Sequence, residues 1–380
     1  MVTHLIKTLP DLGAVDACPL LVVKLGSALL VGDEGKVRAK WLTQLSAEFA
    51  ERHAAGQKII LVSSGAIALG AAQLGLPERA KRSLADEQAA ASVGQIALAK
   101  LWSEGLAAHG LVAAQMLLTL GDLEDRGRYL NASATLQRLL DAGAVPVINE
   151  NDSVATAEIR FGDNDRLAAR VGQAAGAGAV LLLSDVDGLF DRDPADPEAQ
   201  IVPLVEDITE TVHAMASAET SSGLGSGGMA SKLQAADIAT RAGVALAIIN
   251  GTHDSPLAQA FGTGTGTVFL PKDPATARKA WLGGRLAPAG SIRVDAGCAA
   301  ALADGASVLA AGIVGVSGEF RRGDLVKITD VKGRALAQGL SEYAAYEVQA
   351  IATKRAGDQA VILGYAPRAA VIHRDQMVML

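Results

Sequence analysis

The chain reads as an α/β protein: an α/β/α sandwich on a mainly parallel sheet, followed by a small, mainly β region. Three observations predict this. From Leu20 to about Phe269, short Val/Ile/Leu runs alternate with alanine-rich helical segments. The runs are continuously apolar, as strands covered on both faces must be, instead of alternating with polar residues. Beyond a stretch with three prolines, four basic residues and Gly283-Gly284, small strands among glycine turns take over. The expected divisions are an α/β region over 1–270, a linker over 271–289, a β region over 290–368 and a C-terminal tail over 369–380.

The elements follow in order. The first strand, 21–25, contains Lys24 near its end and leaves through Gly26-Ser27. A lysine at the end of a buried strand is costly unless it is paired or meets a ligand, although a lysine that snorkels to solvent is the plainer alternative. The second strand, 59–62, runs into Ser63-Ser64-Gly65-Ala66, a polar turn at a helix start that suits an anion. Further strands are expected at 112–116 and 145–148. The latter opens into Asn149-Glu150-Asn151-Asp152, the start of a hairpin-like excursion that returns at Phe161-Gly162-Asp163-Asn164-Asp165. Such density of Asn and Asp is ordinarily turn chemistry, but here it lies at a strand end, where α/β sheets bind ligands. The strand at 180–183 ends in Ser184-Asp185-Val186-Asp187-Gly188, and a last one covers 245–249. In the β region, strands are expected at 292–295, 312–316, 324–328 and 360–363.

The most informative segment is Gly225-Ser226-Gly227-Gly228-Met229-Ala230-Ser231-Lys232, which leads into a helical apolar pattern. Glycines bring backbone N–H groups close to an anion, the helix start adds partial positive charge, and Lys232 in the first turn can reach a phosphate. The string is not a Walker A loop, which needs Gly-Lys-Ser/Thr after its spacer. Gly223, Gly225 and Gly228 match G-x-G-x-x-G spacing, but loop residues 219–222 precede them where a dinucleotide fingerprint needs a strand. A glycine loop capping a helix is the structural alternative.

Composition narrows the classes. With 380 residues, half of them hydrophobic, the chain can build two domains with substantial cores. Aromatics at 3% argue against a stacking platform for single strands, and a formal charge of −7 offers no general attraction to nucleic acid or anionic lipid. Cys18 and Cys298 lie far apart in no metal-type spacing, as in a reducing cytosol. The apolar stretch from Pro19 to Val31 is too short to span a bilayer, and the N-terminus lacks a signal-peptide pattern. The expectation is a soluble cytoplasmic protein with no membrane contact. The six scattered histidines form no catalytic set.

Taken together, Val23-Lys24-Leu25-Gly26, Ser63-Ser64-Gly65-Ala66-Ile67-Ala68, Gln115-Met116-Leu117-Leu118-Thr119, Val147-Ile148-Asn149-Glu150-Asn151-Asp152, Phe161 to Asp165, Gly223 to Lys232 and Gly266-Thr267-Val268-Phe269 resemble, in order and spacing, the glutamate 5-kinase branch of the amino acid kinase family. The C-terminal region resembles a PUA domain. The resemblance implies the amino acid kinase fold and ATP-dependent phosphorylation of the γ-carboxylate of L-glutamate, the first step of proline biosynthesis, with feedback inhibition by proline. It implies that Lys24 and Lys232 meet the transferring phosphoryl group and that Asp165 organises them. Ser64, Gly65, Asn149, Asp152 and Asn164 match its glutamate-binding positions. Lys24, Ser184, Asp185 and the run Ser226, Gly227, Gly228, Met229, Ala230, Ser231, Lys232 match its ATP-binding segments. Ser184 and Ser226 stand where threonine is common, and Ser27-Ala28 where Thr-Ser is more usual. Mg²⁺ is expected mainly on the ATP phosphates, with no assigned protein ligand. Expected partners are L-glutamate, proline, a second copy of the chain as dimer or tetramer, and glutamyl phosphate reductase. Kinases of acetylglutamate or carbamate are the rival readings within the class. Asp152 favours glutamate, because a free ammonium welcomes a carboxylate and an acetylated nitrogen does not. RNA binding through the PUA-like region is disfavoured by its ten basic and nine acidic residues over 291–380.

Overall fold

The computed structural model describes residues 6–32, 36–77, 81–154, 163–218, 228–272 and 288–380. Expectations for Phe161-Gly162, Gly223 to Gly227 (with Ser226 among them), most of the excursion and most of the 271–289 linker therefore lie outside the described residues. The chain divides into two compact units, Met1–Glu124 with Ala132–Lys272 and Asp125–Asn131 with Asp273–Leu380.

The strands carried by the first unit are β1 (Leu20–Leu25), β2 (Lys58–Ser63), β3 (Val112–Leu118), β4 (Ala144–Glu150), β5 (Ala179–Ser184), β6 (Leu204–Val205), β7 (Ala245–Asn250) and β8 (Thr267–Phe269). They form one sheet in the order β3-β4-β2-β1-β5-β7-β8-β6. Neighbours run parallel except β7 with β8. All six expected strands of this region are present; the short β6 and β8 are additions. Central β1 and β5 are buried at every position, whereas edge strand β3 leaves Val112 66% exposed.

The helices in chain order are α1 (Leu9–Gly13), α2 (Ser27–Leu30), α3 (Ala39–Ala54), α4 (Ala66–Leu74), α5 (Leu84–Ala107), α6 (Leu120–Glu124), α7 (Arg126–Asp141), α8 (Asp163–Ala175), α9 (Glu210–Ala218), α10 (Met229–Arg241) and α11 (Pro256–Thr263). One sheet face packs Leu21, Val23, Leu25 and Leu181 against Trp41, Phe49, Trp102 and Phe261 from α3, α5 and α11. The opposite face takes α8 and α10. This is the α/β/α sandwich, with the parallel arrangement that helical crossovers require.

The second unit holds a five-stranded sheet, β10-β9-β11-β12-β13, built from β9 (Gly290–Val294), β10 (Ile313–Gly318), β11 (Leu325–Thr329), β12 (Ala335–Leu340) and β13 (Met377–Met379). Two expectations need correction. Residues 360–363 are not a strand but the end of helix Ala356–Leu363, which stops at left-handed Gly364. A run of four apolar residues has no period long enough to separate the two states, and the glycine cap decides it. Residues 369–380 are not a tail. Val371 and Ile372 are buried, and β13 pairs antiparallel with β12. No described helix is long and apolar enough to cross a membrane.

Candidate active site

In a parallel sheet all strands deliver their last residues to one edge, where ligands bind. Alternation along β1 puts Leu21, Val23 and Leu25 on the face of the Trp41 and Trp102 cluster, so Lys24 shares the other face with Val22. That face belongs to α8. A Cβ added to Gly172 of α8 would come within 2.7 Å of Val180 and 3.9 Å of Val22. The first turn of α8 carries Asn164 and Asp165, and the fully buried Asp165 meets Lys24 Nζ at 2.5 Å. The lysine that looked costly in the sequence is thus paired. Removing one partner of such a pair leaves a buried charge, typically at a cost of about 3–5 kcal/mol. Asp165 Oδ2 accepts no hydrogen bond among the described residues, which leaves it open to a further cation or donor.

Beside the ion pair lies a chain of amides. Ser64 follows β2, and its N–H donates to the Leu25 carbonyl at 3.1 Å. Gly65 then takes φ +122°, a conformation side chains resist, to start α4. Asn164 Nδ2 donates to Ser64 Oγ at 2.7 Å and to Asn149 Oδ1 at 3.0 Å. Asn149, buried at the end of β4, donates through Nδ2 to Gln95 Oε1 at 2.8 Å. Asn164 Oδ1 is buried and has no partner among the described residues.

Gln95 was not identified from the sequence. It sits on α5, which presses against α4. A Cβ on Gly94 would fall 1.7 Å from the Ala66 carbonyl oxygen, and one on Gly70 would fall 1.8 Å from that of Ala90. The two backbones therefore touch, and α5 holds the start of α4 in place. Trp102 adds a second tie from α5, donating Nε1–H to Ser63 Oγ at 2.8 Å. Glycines within alanine-rich helices hint at close helix packing, but nothing in the sequence selects Gln95. Asp152 lies just beyond β4, in an open cleft of about 320 Å³ that Gln95, Gln115 and Glu150 also line.

The nucleotide-type segments occupy neighbouring positions. Ser184 closes β5, is buried, and donates its hydroxyl to Asp185 Oδ1 at 3.1 Å; Asp185 itself is exposed. On adjacent β7, Asn250 pairs with Ser184 in register and donates Nδ2–H to Asp187 Oδ1 at 2.9 Å. Gly228 precedes α10, whose first turn has Met229 and Lys232 buried, Ser231 half-buried and Ala230 exposed. The α10 N-terminus contributes partial positive charge, and α10 packs against α8. The structure thus joins Lys24, Asp165, Asn164, Ser64 and Asn149 through direct contacts. It sets Asp152 in the cleft, Ser184-Asp185 at the next strand end and Lys232 on the helix beside α8. Among the described residues, no group of three or more His, Cys, Asp or Glu side chains forms a metal cage.

Residues 19–250 match the amino acid kinase family and residues 290–361 match the PUA domain. A Novosphingobium aromaticivorans protein named "Glutamate 5-kinase" is 62% identical over 99% of this chain and 100% of its own length. Proteins of the same name from Sphingopyxis alaskensis and Zymomonas mobilis are 57% and 55% identical, each over 96% of this chain and over 98% and 92% of their own lengths. A match across most of the chain, with relatives of this identity along nearly all of it, makes the chain a member of the amino acid kinase family that also carries a PUA domain.

Proposed function

We propose that the chain is a glutamate 5-kinase, which transfers the γ-phosphoryl group of ATP to the side-chain carboxylate of L-glutamate. The observation that carries the reading is the buried Lys24–Asp165 pair set beside the bonded group Ser64, Asn149 and Asn164, in a chain so close to proteins of that name. A glutamate carboxylate with a pKa of about 4.3 is already ionised at neutral pH, so no general base is needed. Its oxygen forms a bond to the γ-phosphorus while the β–γ bridging bond breaks, and ADP leaves with the electron pair. The difficulty is repulsion between two anions. Lys24 and Lys232 offset it at the transferring group, with the N–H groups at the start of α10 and the Mg²⁺ that enters on ATP. Asp165 holds Lys24 in position. Asp152 takes the substrate ammonium, while Ser64, Gly65, Asn149 and Asn164 orient the rest of the amino acid. Ser184, Asp185 and the residues from Ser226 to Lys232 seat the nucleotide.

The same reading places the reaction at the start of proline biosynthesis in the cytoplasm, with proline as inhibitor and glutamyl phosphate reductase as the next enzyme. It assigns catalysis to 1–270, joined through 271–289 to the PUA domain of a homo-oligomer. The test is ADP release over a panel of glutamate, N-acetylglutamate, aspartate and carbamate. Turnover confined to glutamate is expected; equal or better turnover of N-acetylglutamate or carbamate would overturn the assignment.

A further inference from the structure

The amide chain has a direction, and the direction decides what remains for a ligand. Asn149 donates Nδ2–H to Gln95 Oε1, so its Oδ1 is turned to Asn164. Asn164 then spends its Nδ2 hydrogens on Asn149 and Ser64 Oγ. Besides the second Asn149 Nδ2 hydrogen, two groups next to Asn164 are left over: the Ser64 hydroxyl proton, because Ser64 Oγ accepts here, and the buried Asn164 Oδ1. One is a donor suited to a carboxylate and the other an acceptor suited to an ammonium. Run backwards, the chain would consume both. Asn149 Nδ2 would donate to Asn164 Oδ1, and Ser64 would donate its proton to the same oxygen. The two orientations of an amide have nearly the same shape, so a neighbour must choose between them. In this structure Gln95 turns Oε1, an acceptor, toward Asn149, and an acceptor in that place makes this choice.

We propose that Gln95 is a positioning residue for the acidic substrate: by accepting from Asn149 it sets the direction of the Gln95–Asn149–Asn164–Ser64 chain and keeps the Ser64 hydroxyl proton and Asn164 Oδ1 free for an amino acid. The inference rests on the glutamate-phosphorylating reading above. Its place in the cleft beside Asp152 and its bond to Asn149 put Gln95 at the β4 end of the sheet edge, three strands along from β5.

The test compares Gln95→Leu, which removes the acceptor, with Gln95→Glu, which keeps an acceptor at the same reach and cannot present a donor while ionised. Initial rates over glutamate and ATP concentrations, with thermal melts of each protein, supply the readouts. Gln95→Leu should raise the glutamate KM about 10-fold, the scale of one or two misdirected hydrogen bonds, with the ATP KM unchanged. Gln95→Glu should stay within about 3-fold of the parent. An unchanged glutamate KM in Gln95→Leu, equal damage in both variants, or an ATP KM that rises in step with a lowered melting temperature would overturn the proposal. The unsubstituted protein keeps the two readings apart. If it releases no ADP with glutamate, the proposed function falls and this inference with it; if it is active and Gln95→Leu matches it, only the inference falls.

Discussion

The two sheets use similar apolar residues to different ends. In the eight-stranded sheet every neighbouring pair but one is parallel, and β1 and β5 are buried along their whole length. In the five-stranded sheet only β9 and β11 run parallel, and β10 is half-exposed. Antiparallel neighbours send successive strand ends to opposite edges, which scatters whatever polar residues follow them. Parallel neighbours send them to one edge. Residues as distant in sequence as Lys24, Ser64, Asn149 and Ser184 thus gather at one edge of the first sheet, and nothing comparable gathers among the described residues of the second. Parallel order is what brings four ordinary strand ends together as a candidate site.

The sharpest way to break the comparison is at Lys24. On the proposed mechanism, Lys24→Ala should lower kcat on the order of 10²-fold or more, by removing the charge assigned to the transferring group. It should also destabilise the first unit by about 3–5 kcal/mol, because Asp165 would be left buried and alone. Adding Asp165→Asn should recover much of that stability and none of the activity, as read by urea unfolding and steady-state rates. A double variant that regains turnover would remove Lys24 from the chemistry.

The next effect tests the close helix pair that holds the Ser64–Gly65 turn. Gly94→Ala puts a methyl group where the Ala66 carbonyl oxygen already lies, so α4 and α5 must separate. A loss of about 1–3 kcal/mol is expected, with glutamate affinity falling more than ATP affinity. Unchanged stability would show that the helices can part freely.

The smallest effect contrasts carboxylates in the two units. Glu48 accepts from the N–H groups of Leu257 and Ala258 at the start of α11, but burial raises its pKa above the usual value despite those bonds. Its contribution to stability is therefore full below the unfolded pKa and lost as pH rises through the folded one. Asp330 in the second unit, at a surface turn, is lowered by N–H donation from Arg334 and then Lys332, so its contribution is present at neutral pH and lost on acidification. Melting temperatures should diverge in opposite senses, for Glu48→Gln above the ordinary Glu pKa of 4.5 and for Asp330→Asn below the ordinary Asp pKa of 3.8. Relative to the parent, the first should gain as pH rises and the second should lose. Parallel curves would contradict the contrast.

The legibility of the two units differed for the same physical reason. Strands buried on both faces announce themselves as continuous apolar runs, and all six expected in the first unit were found. The two-residue β6 and three-residue β8 are too short to carry a pattern. In the second unit the Val361-Ile362 stretch was misread because a short apolar run serves helix or strand equally well. The terminal β13 was missed because its pairing with β12 is a long-range choice. At the site, Lys24, Ser64, Asn149 and Ser184 were visible as polar residues at the ends of apolar runs, whereas Gln95, in the middle of a helix, carried no such mark.

By itself the sequence determined the α/β alternation, the burial of the central strands and the placing of glycines and polar residues at strand ends, because these depend on local period and composition. The tertiary structure decided the partners: Asp165 for Lys24, Asn164 for Ser64, and Gln95 for Asn149. Those contacts join residues up to 141 positions apart. They depend on strand order and on which face of β1 receives α8, and neither is encoded in any short window of the chain.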